Sequence, residues 1–238
     1  MGFAERRQLV EKRMGQMDAG RALSLARHRL NAAIESAIGR FAGGDCLDCG
    51  AGLSPYESVL GATADEVTIV DIEDRSGRVD VLADIQDMPQ IADGAFNTVL
   101  CTQVLEHVPH PRRALGELAR VLAAGGVLIA SVPHLSAIHE APNDFFRYTE
   151  FGLRSLAEEA GLEVVELTPT GGILSFLGHG LSVALMTTLG TLPGLFHAVR
   201  LINYGLLVRL AEPLDRWFGM AGRYPCDYVL VARKPVVT

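Results

Sequence analysis

Cys46-Leu47-Asp48-Cys49-Gly50-Ala51-Gly52-Leu53-Ser54-Pro55-Tyr56 is a short apolar run that ends in an acid and breaks on two closely spaced glycines. A brief apolar run bounded by turn signals reads as a buried strand. Glycine at 50 and 52 lets the backbone turn sharply and approach a ligand closely, and the turn aims amide N–H groups above the strand end. In an open α/β sheet that location is the crevice where ligands bind. Pro55 stands where the dinucleotide fingerprint GxGxxG needs its third glycine, which disfavours a nicotinamide dinucleotide. A purely structural strand-to-helix turn remains open for this stretch alone.

Working outward, short β-branched runs alternate with helical stretches: VTIVDIED, VDVLADI, FNTVLCT and GVLIASVP follow the opening run. Such alternation argues a parallel sheet covered by helices. Pro111 to Leu122 carries apolar residues at Ala114, Leu115, Leu118, Ala119 and Leu122 and predicts a crossover helix, with Gly125 and Gly126 as its left-handed stop. A second amphipathic helix is predicted near Thr149 to Ala160, then the strand LEVVELTP, and DYVLVARK reads as the closing strand. Upstream, Ala4 to about Phe41 reads as a helical lead-in, with Leu23, Leu25, Ala26, Leu30, Ala33 and Ile34 on one face.

The 238 residues are 49% hydrophobic and 21% charged, which excludes disorder and collagen-like or disulfide-scaffold classes. A net charge of -7, with no segregated basic patch evident along the chain, makes nucleic acid an unexpected partner. Cys46, Cys49, Cys101 and Cys226 lie in or beside apolar runs, as free thiols in a reducing compartment do. The segment MGFAERRQLVEKR has no apolar core of a signal peptide, and Arg6 breaks the myristoylation pattern, so a cytoplasmic protein is expected.

From Leu167 to Val199 no Asp, Glu, Lys or Arg occurs, and there a membrane must be considered. Gly171, Gly172, Gly178, Gly180, Gly190, Pro193 and Gly194 interrupt the stretch, whereas a span needs roughly 20 apolar residues. Short helices over the active site or on a membrane surface are therefore expected for 171–224, with burial against the fold or a homodimer as the bland alternatives.

Asp71 ends the second strand run 19 residues after Gly52, with Ile72 beside it, and a carboxylate there can accept both hydroxyls of a ribose. Asp84 ends the third run, and Ile85 offers an apolar face for a flat ring. Each acid alone is as well read as solvated; three in order with a glycine turn are more specific.

LDCGAGLSPY, IVDIED, VLADIQDMP, FNTVLCTQVLEHVPHP, LARVLAAGGVLIASVPH and HEAPNDFFRYTEFGLRSLAEEAGLEVVEL together resemble successive motifs of class I S-adenosylmethionine-dependent methyltransferases, in the type 11 branch. The resemblance covers about Asp45 to Thr170 plus the closing strand. It implies a doubly wound, Rossmann-like, seven-stranded and mostly parallel sheet with helices on both faces; the charge-free stretch, read as a helical insertion before the last strand, departs from the family pattern. Residues 1–41 would be the lead-in and 42–238 the methyltransferase domain. It implies S-adenosylmethionine as cofactor, with the turn from Asp48 through Gly50, Ala51 and Gly52 cradling its methionine part and Asp71 holding its ribose. Asp84 and Ile85 would border the adenine, and Thr102, Gln103 and His107 would line the pocket after the fourth strand. HEAPNDFFRYT resembles a segment of a subgroup often encoded with polysaccharide or cell-envelope genes, where its polar residues face the acceptor.

Methyl transfer from a sulfonium needs positioning above all, and a base only where the acceptor is a hydroxyl or ammonium. His134, His139, Asp144, Arg147 and Tyr148 follow the fifth strand: His139 could take a proton, Asp144 orient it and Arg147 hold an anionic or sugar-linked group. Equally, Arg147 could simply pair with Asp144, and Tyr148 could anchor the core. A small or lipid-linked acceptor, methylated at oxygen, is expected; the rival is a nucleoside-binding protein without turnover. No metal is expected: Cys46 and Cys49 have no second pair, and Pro109 and Pro111 break the helix that would align His107 with His110.

Overall fold

The computed structural model describes residues 2–14, 25–192, 194–202, 213–215 and 217–236. They fall into two compact units, one of 33–168 with 227–238, the other of 1–32 with 169–226.

The larger unit is built on a seven-stranded sheet in the order β3-β2-β1-β4-β5-β7-β6. Its strands are β1 (Gly44–Cys49), β2 (Ala64–Asp71), β3 (Val81–Leu82), β4 (Phe96–Thr102), β5 (Leu122–Pro133), β6 (Glu163–Thr170) and β7 (Asp227–Arg233). The first five pair in parallel and β7 runs antiparallel to β5. This is the expected α/β, Rossmann-like sheet, and the central strands read as near-continuous apolar runs because both faces are buried. VDVLADI forms only a two-residue strand. Asp80 accepts the Ile69 amide through its side chain at 2.8 Å, and Asp84 makes an isolated bridge to Asp87, so the acids on either side divert the backbone from the ladder.

Among the helices of this chain, α1 (Phe3–Met14) and α2 (Leu25–Phe41) form the lead-in, and α2 buries Leu30, Ile34, Ala37 and Ile38 at helical spacing. Leu23 lies outside the described residues, as do the side chains of Leu25 and Ala26. After α3 (Glu57–Leu60), the crossover α4 (Pro111–Val121) buries its predicted face of Ala114, Leu115, Leu118 and Ala119. Its end differs from expectation: Leu122 turns extended at once and begins β5, so Gly125 and Gly126 sit within the strand. α5 (Glu150–Glu159) is capped by Thr149, whose hydroxyl accepts the Gly152 amide at 3.1 Å.

Arg120, near the end of α4, ties this helix to the loop after β3. All five guanidinium N–H groups are used, on Glu117 twice, Asp93, and the carbonyls of Met88 and Ile91. That loop carries Asp84 to the sheet edge.

In the smaller unit, α6 (Ile173–Thr188) runs unbroken through Gly178 and Gly180 and continues as a 3-10 turn, Leu189–Thr191, before α7 (Phe196–Ile202). The sequence reading expected fragments. Two interior glycines cost about 1 kcal/mol each, and the helix nonetheless runs through both. Asp215, itself buried, caps α6 by accepting the Leu174 and Ser175 amides at 3.0 and 2.8 Å. Val10 of α1 and Met186 of α6 share a small core with Phe196 and Val199.

Charge divides unevenly between the units. Residues 1–32 and 169–226 hold 11 Lys and Arg against 5 Asp and Glu, net +6, whereas the remainder holds 10 against 23, net -13. The linear sequence shows no basic patch because the helical unit is drawn from two segments more than a hundred residues apart.

Replacing Arg120 by Lys keeps the charge but loses the planar fork, and should lower the unfolding free energy in urea by roughly 2 to 4 kcal/mol. A loss under about 0.5 kcal/mol, the size of an ordinary surface substitution, would show that the network holds nothing.

Candidate active site

Because β1, β2, β4 and β5 are parallel, the turns after them lie at one edge of the sheet. After β1 the chain passes through Gly50 at φ +65° and Gly52 at φ +56°. A Cβ at 50 would strike Val104 at 2.5 Å, whereas one at 52 would meet nothing within 4 Å. Gly50 is glycine for close packing; Gly52 is glycine for its left-handed turn beside open space. The Gly52 amide donates to Asp71 Oδ2 at 2.9 Å and the Glu73 amide to Oδ1 at 3.1 Å. Asp71 thus clasps the ends of β1 and β2 together. Each carboxylate oxygen retains a second lone pair for a ligand hydroxyl.

Asp48 is buried beneath this turn, held by the Ser54 hydroxyl at 3.3 Å, and burial pushes its carboxyl up to about 7. Asp84 is half-buried, and both its oxygens are taken by Gln86. Ile72 is exposed and Ala51 buried. Ile85 departs from expectation: at 4% exposure it packs in the core with Val70 and Met88, so its side chain offers no open face for a ring. β3 ends at Leu82, Asp84 makes only an isolated bridge to Asp87, and the Ile85 side chain turns inward.

After β4, Thr102 and Gln103 are half-buried, and Gln103, at φ +55°, donates its amide to the Ser131 carbonyl of β5 at 2.9 Å. A 3-10 turn, Leu105–His107, follows. Glu106 is fully buried, with no hydrogen-bond partner for either carboxyl oxygen, and burial pushes it up to about 8. It is a neutral acid at pH 7. Its carboxyl lies 3.8 Å from His107 Nε2.

The loop after β5 supplies the other side. His107 Nδ1 meets the Asn143 carbonyl at 2.6 Å, and His139 Nδ1 meets the Ala137 carbonyl at 3.2 Å. Each Nδ1 thus faces a backbone carbonyl, and His139 Nδ1 also lies 3.4 Å from the Arg147 guanidinium. The two rings stand edge to face, centroids 4.8 Å apart. Burial lowers the basicity of His139 below the ordinary imidazole value, so it is neutral at pH 7. Asp144 accepts the His139 amide at 2.8 Å, and the Arg147 guanidinium holds its carboxyl well below the usual carboxylate range.

Two expectations on this loop change. Arg147 spends all five donors within the loop, on both Asp144 oxygens and the carbonyls of Ser136, Ala137 and Phe146, leaving none for an anionic group. Tyr148 is buried and donates its hydroxyl to the Leu105 carbonyl at 2.7 Å, and burial pushes its pKa up, making the phenol a weaker acid; it anchors the core instead of handling protons. His134 Nδ1 meets the Tyr148 carbonyl at 2.7 Å.

Glu106 is the residue whose weight the sequence does not reveal. Glu106, His107 and His139 place ligand-type atoms within 4.8 Å of one another. His110 does not join them; it is exposed, its amide on Gln86. A cation bound there would release the proton that burial keeps on Glu106, so its binding would depend on pH. Cys46 and Cys49 are buried free thiols in β1.

Comparison with known proteins agrees with this geometry. A family described as a methyltransferase domain matches residues 19–167. An S-adenosylmethionine-dependent methyltransferase of Mycolicibacterium smegmatis is 31% identical over 158 residues, covering 60% of this chain and 59% of that protein. A phosphatidylethanolamine N-methyltransferase of Cereibacter sphaeroides is 33% identical over 98 residues, 36% of this chain and 48% of that one. The chain thus spans between about half and three fifths of these two relatives' length. In fold, it matches Burkholderia thailandensis 1,6-didemethyltoxoflavin-N1-methyltransferase bound to S-adenosylhomocysteine, with TM-score 0.56, 16% identity, and coverage of 98% of this chain and 87% of that one. The sheet order, the glycine turn clasped by Asp71 and the family match lead to one conclusion: the chain belongs to the class I S-adenosylmethionine-dependent methyltransferases.

Proposed function

We propose that this protein transfers a methyl group from S-adenosylmethionine to a hydroxyl of a small, sugar-bearing or lipid-linked acceptor. The observation that carries the oxygen assignment is His139, an imidazole of lowered basicity set edge to face against His107 with Asp144 3.6 Å from its ring. The cofactor fits the residues present, for Gly52 borders open space and Asp71 keeps lone pairs for ribose hydroxyls. When bound, the cofactor supplies an electrophilic methyl on a sulfonium. Asp71 would hold its ribose beside the open face of the Gly52 turn, with Asp84, Ile72 and Thr102 at the same sheet edge.

His139 Nε2 takes the acceptor's hydroxyl proton, and Asp144, 3.6 Å from the ring, stabilises the imidazolium that results. Glu106, being neutral, does not compete for that proton, and it keeps a second negative charge out of the cluster. A lipid acceptor draws support from the relative named for phosphatidylethanolamine, although that acceptor is an amine. The pH profile separates the two: an amine's acid limb lies near the amine's own ionisation, above neutrality.

Three outcomes test this reading. Asp71→Ala should weaken S-adenosylhomocysteine binding in calorimetry by about 1 to 3 kcal/mol, the worth of lost charge-assisted hydrogen bonds, with Asp71→Asn between; unchanged affinity would mean the ribose is misplaced. For activity on a hydroxyl acceptor, kcat should fall only below about pH 6.5, since His139 is shifted downward from that value. His139→Asn should cost about a hundredfold or more in kcat, with KM nearly unchanged, and erase that limb. Retention of the limb would assign the base elsewhere.

The third concerns stability. Glu106 has its folded-state value raised, so relative to the unfolded chain it resists ionisation, and its destabilising effect grows from pH 4.5 up to about 8. The stability gap between Glu106→Gln and the native protein should widen by about 1.4 kcal/mol per pH unit across that window and level off above it. A gap independent of pH would show that Glu106 ionises normally.

A further inference from the structure

We infer that the helical unit of residues 1–32 and 169–226 is a docking surface for an anionic phospholipid bilayer, bound peripherally. Two independent properties of the same unit point there. The first is charge: net +6 in a chain of net -7. Within it Lys12 on α1, Arg200 on α7 and Arg223 are exposed, while the acid Asp215 is buried as the cap of α6. The remaining unit, at net -13, is repelled by the same lipid surface, so an anionic bilayer selects one unit of the chain over the other.

The second is apolar exposure. Leu177 and Leu181, one helical turn apart on α6, are 58% and 51% exposed, and Leu201 on α7 is 74% exposed. Trp217 and Phe218 stack at 6.1 Å with 82% and 61% exposure. A unit that exposes both leucines and a tryptophan and cationic side chains has the composition of helices that lie in a lipid interface, where the rings sit among headgroups and basic residues meet lipid phosphates.

Peripheral docking is favoured over spanning by the packing of α6. The helix with its 3-10 extension, Ile173–Thr191, is long and apolar enough to cross a bilayer. Yet it buries Ser175, Ser182, Met186 and Thr187 inside its own unit, and Met186 packs on Val10 of α1, a helix rich in charge. One side of α6 is committed to protein and the other is bare. A nucleic acid would use the cations but has no use for bare leucines.

The inference goes beyond methyl transfer and needs no turnover, so its failure leaves that reading untouched. The test is flotation of the full chain with vesicles of phosphatidylcholine alone, and with about one third phosphatidylglycerol added. S-adenosylhomocysteine binding serves as the folding control for variants. The native chain should float with the anionic vesicles, stay behind with neutral ones, and be released by roughly 1 M salt, where the screening length is about 3 Å. Each Lys or Arg removed near the surface should weaken partitioning about fivefold, so Lys12→Glu/Arg200→Glu/Arg223→Glu together should weaken it by at least a hundredfold or so. Trp217→Ser/Phe218→Ser should weaken it independently of salt. The inference is overturned by equal binding to both vesicle types, by no binding, or by resistance to carbonate extraction, which would mean a spanning helix. It is equally overturned by a chain that ignores vesicles while it dimerises or binds duplex DNA.

Discussion

Parallel pairing of β1, β2, β4 and β5 is the constraint from which the site follows. Parallel neighbours must be joined by crossovers, so their carboxyl ends collect at one edge, and every turn there is free of sheet duties. Asp71 then converts proximity into a fixed geometry by accepting amides from both its own turn and that of β1. A chain with the same side chains on antiparallel strands would scatter them over two edges.

Fixity on the acceptor side comes from a different device. Arg147 satisfies five acceptors from within a stretch of twelve residues, and Asp144 passes that order to the His139 amide. Glu106 completes the link: its backbone carbonyl accepts the Phe145 and Phe146 amides, while its carboxyl stays buried and unsatisfied. An orphaned buried acid carries a desolvation cost that folding alone does not recover, which is common where chemistry demands a shifted proton affinity.

What the sequence makes legible is local. Runs such as FNTVLCT appear as strands because burial on both faces makes them continuously apolar, and Asp48 and Asp71 stand at the ends of β1 and β2, with Asp84 two residues past β3. The features it hides depend on distant partners. Whether Arg147 reaches a ligand or its own loop turns on where five carbonyl and carboxylate oxygens fall, and Ile85 enters the core because β3 stops early. His139 is set against His107 across 32 residues of chain, which no spacing rule announces. The charge division is hidden likewise, since α1 and α6 must first be recognised as one unit. α6 itself shows the limit of reading glycine as a breaker, since the helix continues through Gly178 and Gly180, whose cost of about 1 kcal/mol each does not end it.

The account stands on a nucleoside sulfonium held between the glycine turn and Asp71. A crystal structure with S-adenosylhomocysteine bound tests it most directly. It should show the ribose hydroxyls on the Asp71 carboxylate, the amino-acid end against Gly50 and Gly52, and the sulfur facing His139. Density for the ligand elsewhere, or a sheet edge closed by protein side chains at saturating ligand, would contradict it.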